Sequence, residues 1–382
     1  MTDSASDNRR SRKPNPTILG SLDGHNNSLG LLRLVFALAV IVSHAFPLGG
    51  FSGEPLFGAS GLQETLGGAA VAGFFAISGY LVLRSALAGG FFQFMWRRAL
   101  RIFPGYWVAL LVGVLAVGPV VWLLEGGSIG AYFLPGDKSV YHYLAANFDL
   151  SIGAHSVWDI FKETTPYGVS IGVGGLNGSI WTLTYEWSSY LIVGLLLGLG
   201  LLRFTRATVV IVAGIFGFIN ALYFFDQQLA VSAFGAIVDQ PFAGFGFVFF
   251  VGASLAAYAE TIRLNTWVGI ACGIVVLVSL VGVGWKVVGF AALPYFLLWV
   301  AAALPARFQW IGRKNDYSYG IYLYGFLIQQ TTAYFGLHHL GIVPWTVICV
   351  ALAFGMAWLS WNLVERPALS LKSRGPGRLV AR

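Results

Sequence analysis

Apolar runs of about 18 or more residues recur along the whole length of this chain. A run of that length crosses the hydrocarbon core of a bilayer as a helix, and only helices or closed barrels satisfy every backbone polar group in lipid. The alternating pattern of barrel strands is absent. Because 57% of the 382 residues are hydrophobic and only 10% are charged, the composition also departs from that of soluble domains. We therefore predict an all-α polytopic membrane protein.

The apolar runs predict ten transmembrane helices. Their ranges are 29–47, 67–88, 103–124, 179–201, 207–225, 239–259, 265–284, 286–305, 317–337 and 342–363. Because the number is even, both termini are predicted to lie on the same side of the membrane. Most connections are short, except for a predicted outer loop at 125–178. Long loops are often binding loops, so we expect this one to guide an acceptor.

Basic residues are distributed unevenly between the two sets of connections. One set carries Arg84, Arg97, Arg98, Arg101, Arg203, Arg206, Arg263, Arg307, Arg313 and Lys314, and both ends of the chain are also basic. The opposite set carries only Lys138, Lys162 and Lys286. Positive charge marks cytoplasmic loops, so both termini are predicted to be cytoplasmic. The same rule explains the net charge of +7, and we expect no nucleic-acid partner.

The two ends of the chain differ from the apolar region between them. Residues 1–28 are polar and lack the apolar segment of a cleaved signal peptide, so we predict a disordered cytoplasmic tail before a helix that acts as its own anchor. We assign 29–372 to one membrane domain and 373–382 to a second cytoplasmic tail. Cys272 and Cys349 fall inside apolar runs and are expected to pack as small hydrophobic residues. No metal-ligand spacing is present, and we predict no metal.

An arginine and a histidine share the first apolar run. Ionisable side chains inside a membrane are costly and mark functional sites. Arg33 and His44 are eleven residues apart, so on a helix they share one face at a separation of about 16 Å. His44 is the only one of the six histidines inside a predicted span. It is a candidate general base near the outer leaflet, and an interfacial structural histidine is the alternative.

Three more arginines stand where the connection after the second span meets the third span. On a helix Arg97 and Arg101 are four residues apart, and Arg98 lies on the adjoining face. Guanidinium groups bind phosphates bidentately, and Pro104 is suited to open the following helix. The cluster is therefore a candidate phosphate site, with an ordinary cytoplasmic anchor as the alternative.

Glu186 enters the fourth predicted span close to its outer end. A carboxylate at that depth needs a partner, so we expect a structural ion pair, a hydrogen-bonded carboxyl group, or an interaction with His44, for which Glu186 would be the orienting group or charge stabiliser. The preceding Asn177-Gly-Ser sequence fits a glycosylation acceptor, but directly before a span it favours a turn and helix cap.

Aromatic and charged residues mark the last two spans. Tyr319 and Tyr322, three residues apart, are predicted either to line a polar groove with their hydroxyl groups or to pack as ordinary aromatic residues. Glu365 and Arg366 are predicted to mark a cytoplasmic helix end closed by Pro367.

Taken together, six segments in the same order resemble the membrane acyltransferase 3 family, integral-membrane O-acyltransferases that modify surface polysaccharides, lipids and small molecules. The segments are Arg33 with His44, the 73–80 run that contains Ser78, the 97–106 run that contains Arg97, Arg98, Arg101, Pro104 and Tyr106, the 177–186 run that contains Trp181 and Glu186, the 318–322 run that contains Tyr319 and Tyr322, and the closing Ser360-Trp361 with Glu365 and Pro367. They extend over nearly the whole chain.

The resemblance implies an acyl donor, acetyl-CoA or another acyl-CoA, bound from the cytoplasmic side. It implies that Arg33, Arg97, Arg98 and Arg101 hold the phosphates of the donor. His44 would then activate the acceptor hydroxyl or carry the acyl group, with Glu186 as its supporting carboxylate. The expected pocket lining is completed by Ser78, Tyr106, Trp181, Tyr319 and Tyr322.

These implications predict an O-acetyltransferase of the bacterial inner membrane. Its acceptor would be an envelope or exported glycan, a lipid-linked saccharide or a glycoside, and its partners would be membrane lipid and proteins of envelope biosynthesis. One departure leaves the acceptor open. Many family members carry His-x-Pro in the ninth span, but the matching stretch here is Tyr324-Gly325-Phe326-Leu327-Ile328.

Two other functions fit a polytopic chain with a few buried charges. A secondary transporter or a lipid or saccharide exporter also has this architecture. A non-catalytic membrane assembly subunit is a third interpretation, in which His44 and Glu186 would be dispensable. The arginine cluster favours the enzyme, because a transporter has no need of a phosphate site aligned with a single histidine.

Overall fold

The computed structural model describes residues 16–22, 24 and 27–375. Of the two predicted tails, residues 1–15 and 376–382 lie outside these ranges. The described residues form helices and no β-strand, and a single isolated bridge joins Thr17 and Arg263. The all-α prediction is confirmed.

Ten long helices follow the ten predicted apolar ranges. In chain order they are α1 Leu29–Gly49, α2 Leu66–Leu87, α3 Phe91–Leu124, α4 Thr182–Gly198, α5 Ala207–Phe225, α6 Gln240–Ala257, α7 Thr266–Val281, α8 Trp285–Ala303, α9 Ser318–Tyr334 and α10 Ile342–Ser373. Shorter helical segments lie at Ile18–Leu22, Pro55–Ala59, Ile129–Tyr132, Val140–Asn147, Pro166–Ile171, Leu201–Phe204, Gln227–Phe234, Ala306–Phe308 and Leu337–Leu340.

Among the described residues, seven helices are long and apolar enough to cross a membrane, namely α1, α2, α3, α5, α6, α8 and α10. The helices α4, α7 and α9 are shorter, with 17, 16 and 17 residues. Outward-facing apolar side chains such as Phe218, Leu277 and Val347 are 63%, 63% and 62% exposed, which suits surfaces in contact with lipid. The chain is a multi-pass membrane protein, and the count of ten spans and the orientation of the termini stay predictions.

Helix α2 packs more extensively against α6 than any other pair of helices in the described chain. The two helices approach closely at two glycines. A Cβ atom on Gly79 would lie 1.9 Å from the carbonyl oxygen of Phe249, and a Cβ atom on Gly252 would lie 2.2 Å from the carbonyl oxygen of Ala76. Small residues let two membrane helices approach this closely. Glycine on both sides therefore fixes the position of α2, which carries Ser78.

The other faces of α2 contact α1, α3 and α4, while α9 packs against α1 and α3. The 125–178 loop packs against the middle of α3. There the Tyr106 hydroxyl donates to the carbonyl oxygen of Asn147 at 2.6 Å, and the Trp107 indole donates to that of Phe148 at 3.0 Å. These bonds attach the loop to the helix bundle.

Helix α3 begins earlier than the sequence suggests. It starts at Phe91, so the three arginines stand within it, and Pro104 lies in its interior. The prediction that Pro104 opens this helix is therefore wrong. A proline removes only its own N–H group from the helical ladder, and the packing of α3 against α4, α9 and α10 keeps the helix continuous on both sides of it.

Helix α10 continues past its predicted end. It passes through a π-helical turn at Trp361–Glu365 and runs on to Ser373. Pro367 stands in the first turn of the segment Arg366–Ser370, where no N–H donor is needed. The predicted helix end at Glu365 and Arg366 is wrong, and Glu365 is instead buried, with 3% exposure.

Candidate functional site

A polar cavity lies between α1, α2, α3, α4 and α9. Its polar wall consists of Arg33, Ser78, Arg98, Arg101, Thr182, Glu186, Tyr190, Ser318, Tyr319 and Tyr322. We call it the arginine cavity, because three guanidinium groups face it, and its volume is about 100 Å³. Arg98, Arg101 and Ile102 line it together because residues at i, i+3 and i+4 share one helix face.

One carboxylate oxygen joins two of these guanidinium groups. Asp316 Oδ2 accepts from Arg33 at 2.5 Å and from Arg101 at 2.6 Å, and its other oxygen accepts from the Ser318 hydroxyl at 2.6 Å. Burial opposes ionisation of Asp316, but the charges of Arg33 and Arg101 outweigh it, and the pKa of this carboxyl is lowered. Asp316 thus holds the two arginines in place as a charged group.

Arg98 differs from the other two cavity arginines. In the described part of the chain no carboxylate lies within the 4.0 Å of an ion pair from its guanidinium. Its Nε atom is buried without a hydrogen-bond partner, and its Cζ atom lies 5.7 Å from the centre of the Tyr190 ring. Buried donors without partners are costly, so Arg98 is suited to bind an anion that enters the cavity.

Glu186 lies on the same cavity wall. Its Oε1 atom accepts from the Ser78 hydroxyl at 2.9 Å and from the Tyr190 hydroxyl at 2.5 Å. Tyr190 follows Glu186 by four residues, so the two share a face of α4. The carboxylate therefore orders hydroxyl groups of α2 and α4 beside Arg98.

A second and larger cavity, of about 410 Å³, contains His44. Its polar wall consists of Ser43, His44, Glu54, Glu64, Thr65, Ser179, Trp181, Gln240, Lys286 and Tyr322. We call it the histidine cavity. The His44 ring packs edge-on against Phe326 at 5.7 Å between centres, and its Nδ1 atom lies 3.5 Å from the Ser179 hydroxyl. The other ring nitrogen, Nε2, has no such partner among the described residues.

The two cavities share part of their walls. Val71 and Tyr322 line both of them. The Tyr322 hydroxyl contacts the Thr182 hydroxyl, which lines the arginine cavity, and the carbonyl oxygen of Ser179, which lines the histidine cavity. A cationic cavity and a cavity that contains a histidine therefore adjoin at a tyrosine and a valine.

The structure brings most of the predicted residues to one of the two cavities. Trp181 lines the histidine cavity, and Tyr319 lines the arginine cavity with its hydroxyl bonded to the Ile102 carbonyl at 2.8 Å. Two predicted residues line neither cavity. Arg97 lies outside both linings, and Tyr106 instead binds the 125–178 loop through Asn147.

The expected pairing of Glu186 with His44 is absent from the contacts of the described residues. Glu186 lines the arginine cavity and binds Ser78 and Tyr190, whereas His44 lines the histidine cavity and approaches Ser179. The two residues stand near one another in the predicted topology, but side chains from α2 and α4 satisfy the carboxylate locally.

Sequence reasoning missed three residues of these walls. Asp316 stands just before α9 and pairs with residues more than 200 positions away, which no local pattern reveals. The four-residue spacing between Glu186 and Tyr190 predicts that the two side chains share a helix face, so this contact could have been found from the sequence. Lys286 was treated only as a loop charge. Within the described ranges, no group of three or more metal-ligating side chains is present.

Comparisons with known proteins agree on one family. A family model described as an acyltransferase domain matches residues 26–362. The chain is 29% identical over 355 residues to a protein of Shigella phage Sf6 called O-acetyl transferase, with coverage of 91% of this chain and 97% of the relative. It is 31% identical over 382 residues to nodulation protein 10 of Rhizobium leguminosarum bv. viciae, with coverage of 94% and 96%. No solved structure gives a significant match.

Proposed function

Because this chain belongs to the acyltransferase family and is a multi-pass membrane acyltransferase, we propose that it moves an acetyl group from cytoplasmic acetyl-CoA to a hydroxyl group at the outer side. The proposed acceptor is an envelope or exported glycan, a lipid-linked saccharide or a glycoside. The proposed location is the bacterial inner membrane, with lipid and proteins of envelope biosynthesis as partners. A transporter does not account for the family match.

The observation that carries the proposal is Arg98, which forms no ion pair with a carboxylate of the described residues and has a buried Nε atom without a hydrogen-bond partner. It stands beside two arginines held by Asp316. The donor set fits a CoA thioester, because its phosphates are anions that guanidinium groups bind with several hydrogen bonds. In the proposal Arg33, Arg98 and Arg101 hold these phosphates, and the thioester supplies an activated acyl group. Arg97 is left out of this set, since it lines neither cavity.

The network of Ser78, Glu186 and Tyr190 serves the same cavity in this proposal. The Glu186 carboxylate holds two hydroxyl groups in fixed positions. It also places a negative charge on the wall that carries Arg98. This charge partly balances the positive charge of the guanidinium. Glu186 thus supports the donor side and not the histidine.

His44 carries the transfer chemistry in this proposal. Its Nδ1 atom faces the Ser179 hydroxyl, so Nε2 is the atom available to accept the proton of an acceptor hydroxyl as a general base. The hydroxyl oxygen then bonds to the acyl carbon, the C–S bond of the thioester breaks, and CoA leaves as its thiol with the proton. If the histidine acts as a transient carrier, the same nitrogen would bond to the acyl carbon as the C–S bond breaks and CoA leaves, and it would then pass the acyl group to the acceptor hydroxyl, whose proton goes to the CoA thiolate. In both versions the reacting groups meet at Tyr322 and Val71, where the two cavities adjoin.

Radiolabel transfer from acetyl-CoA in inverted membrane vesicles tests the function. The parent is expected to label a glycan or lipid fraction, and His44→Ala to label none while inserting normally. His142→Ala is a matched control, because His142 lies in the outer loop at a distance from both linings and should retain the activity. Normal transfer by His44→Ala, or no label from any CoA thioester in vesicles supplied with envelope precursors, contradicts the proposal.

A further inference from the structure

One lysine of the histidine cavity has a fixed backbone and a free ammonium group. The Lys286 carbonyl oxygen accepts from the Asn220 amide at 2.6 Å. On its N-terminal side, the Gly284 amide donates to Gln63 at 3.2 Å, and the Trp285 indole donates to Glu64 at 3.1 Å. Among the described residues, however, the Lys286 ammonium has no hydrogen-bond or ion-pair partner, although it lines the cavity.

The local helix geometry supports a functional position. Lys286 belongs to the π-helical turn Trp285–Gly289 that opens α8. Single π-helical turns are often found at functional sites, because they reposition one side chain at a cost in helix stability. Here the turn brings a lysine to the same cavity wall as His44.

The two carboxylates of this cavity are already engaged with the protein. Glu54 accepts from the Ser43 hydroxyl at 3.0 Å and from the backbone amides of Phe57 and Leu66 at 2.6 and 2.7 Å. Glu64 accepts from the Thr65 amide at 3.0 Å and from the Trp285 indole. Neither carboxylate lies within the 4.0 Å of an ion pair from Lys286, although Glu64 and the ammonium attract each other at a longer distance. The ammonium is therefore the group of this wall that still has hydrogen-bond donors to offer.

The charge of the wall decides which ligand class fits. Glu54 and Glu64 are two acidic groups against one lysine, so an anionic acceptor would meet more negative than positive charge. A hydroxyl or ring oxygen accepts from an ammonium without adding charge. Trp181, 42% exposed, offers an aromatic face on the same cavity, and Gln240 offers an amide.

We propose that Lys286 is an acceptor-binding residue and that the histidine cavity takes a neutral, polyhydroxylated acceptor. This rests on the proposed acetyl transfer and deepens it by naming the acceptor class. The ammonium donates to a hydroxyl or ring oxygen of the acceptor, and this contact places another hydroxyl at His44. Lys286 therefore determines which hydroxyl group reacts.

The test uses the full-length protein in detergent with acetyl-CoA and two probes, methyl α-D-glucopyranoside as neutral acceptor and methyl α-D-glucuronide as its anionic counterpart. Lys286→Met removes the ammonium and keeps most of the stem. It is expected to raise the KM for the glucoside about tenfold or more, because a hydrogen bond from a charged donor is lost. The KM for acetyl-CoA should change much less than the KM for the glucoside, because Lys286 lines the histidine cavity and not the arginine cavity. Lys286→Arg should restore part of the affinity.

Lys162→Met is the matched control, since Lys162 is a partly exposed lysine of the outer loop whose ammonium lies 3.4 Å from the Glu163 carboxylate and lines neither cavity. Its acceptor KM should equal that of the parent. An unchanged acceptor KM in Lys286→Met overturns the assignment. An equal rise in the KM values for the glucoside and for acetyl-CoA also overturns it, because it would indicate a structural role.

The parent itself tests the acceptor class. Preference for the glucuronide, or transfer to an envelope extract but not to the glucoside, overturns the neutral class while leaving acetyl transfer intact. If the parent releases no CoA from acetyl-CoA under any condition, the proposed function itself fails. The two failures are therefore distinguishable.

Discussion

Arg33 and Asp316 lie 283 residues apart in the sequence and form an ion pair of 2.5 Å. Arg101 binds the same carboxylate oxygen at 2.6 Å. One aspartate, just before α9, therefore links α1 and α3 through two ion pairs. These ion pairs lie at the wall of the proposed donor site. Stability and donor affinity should both depend on Asp316.

We expect Asp316→Asn to lower the free energy of unfolding by about 2–4 kcal/mol, because two partly buried guanidinium groups lose their shared partner and repel each other. The KM for acetyl-CoA should also rise, since both arginines lose the carboxylate that holds them in position. Unfolding in detergent and initial rates measure the two effects. Asp159→Asn is the control, because the ion pair of Asp159 with Lys138 is more exposed and should contribute less than about 1 kcal/mol. Equal effects of the two substitutions would contradict the prediction.

The pH dependence of stability should report the same carboxylate. The pKa of Asp316 is lowered in the folded protein, so its contribution is present above the ordinary aspartate pKa of about 4 and is lost only as the pH falls below that value. The difference in melting temperature between the parent and Asp316→Asn should therefore stay constant from pH 7 to about pH 4 and then narrow. A difference that narrows already between pH 7 and pH 5 would argue against an ionised, paired Asp316.

Two neighbouring arginines provide a test of the donor site. Arg98 faces the arginine cavity without a carboxylate partner, whereas Arg97 lines neither cavity. Arg98→Ala should raise the KM for acetyl-CoA about tenfold to a hundredfold, since hydrogen bonds from a charged donor are lost. Arg97→Ala should change the KM for acetyl-CoA less than about threefold, because Arg97 lines neither cavity. If Arg97→Ala has the larger effect, the phosphates bind on the other face of α3.

The contact between α2 and α6 predicts a stability difference between two glycines. Gly79→Ala would place a Cβ atom 1.9 Å from the Phe249 carbonyl oxygen, so we expect a loss of about 1–3 kcal/mol or more. Gly214 in α5 has no atom within 4 Å of such a Cβ. Gly214→Ala should therefore be neutral or slightly stabilising, because alanine favours a helix over glycine. Thermal unfolding of both variants in one detergent measures the difference.

The sequence was sufficient to place the helices but not their ends. Apolar runs mark ten helices because lipid excludes unpaired backbone groups. The start of α3 at Phe91 escaped prediction because arginines and a proline usually signal a boundary, and packing around Pro104 keeps the helix continuous. The same holds for α10, which continues past Glu365 through a π-helical turn.

The candidate site was predictable in its residue types and not in its partners. Arg33, Arg98, Arg101 and His44 stand out as ionisable groups in or beside apolar runs. Asp316 does not, since only the fold brings it to Arg33. Glu186 stands out in the same way, and it binds one hydroxyl group of its own helix and one of another helix. The contact with the other helix cannot be predicted from a single sequence.

The shared wall of Val71 and Tyr322 has a consequence for the permeability of the membrane. In the proposed reaction, only the acyl group has to pass between the two cavities, at the wall that Val71 and Tyr322 share. The bulky part of the donor stays on one side and the acceptor on the other. A protein that works in this way would transfer a chemical group between two cavities without a continuous path for the donor or for the acceptor.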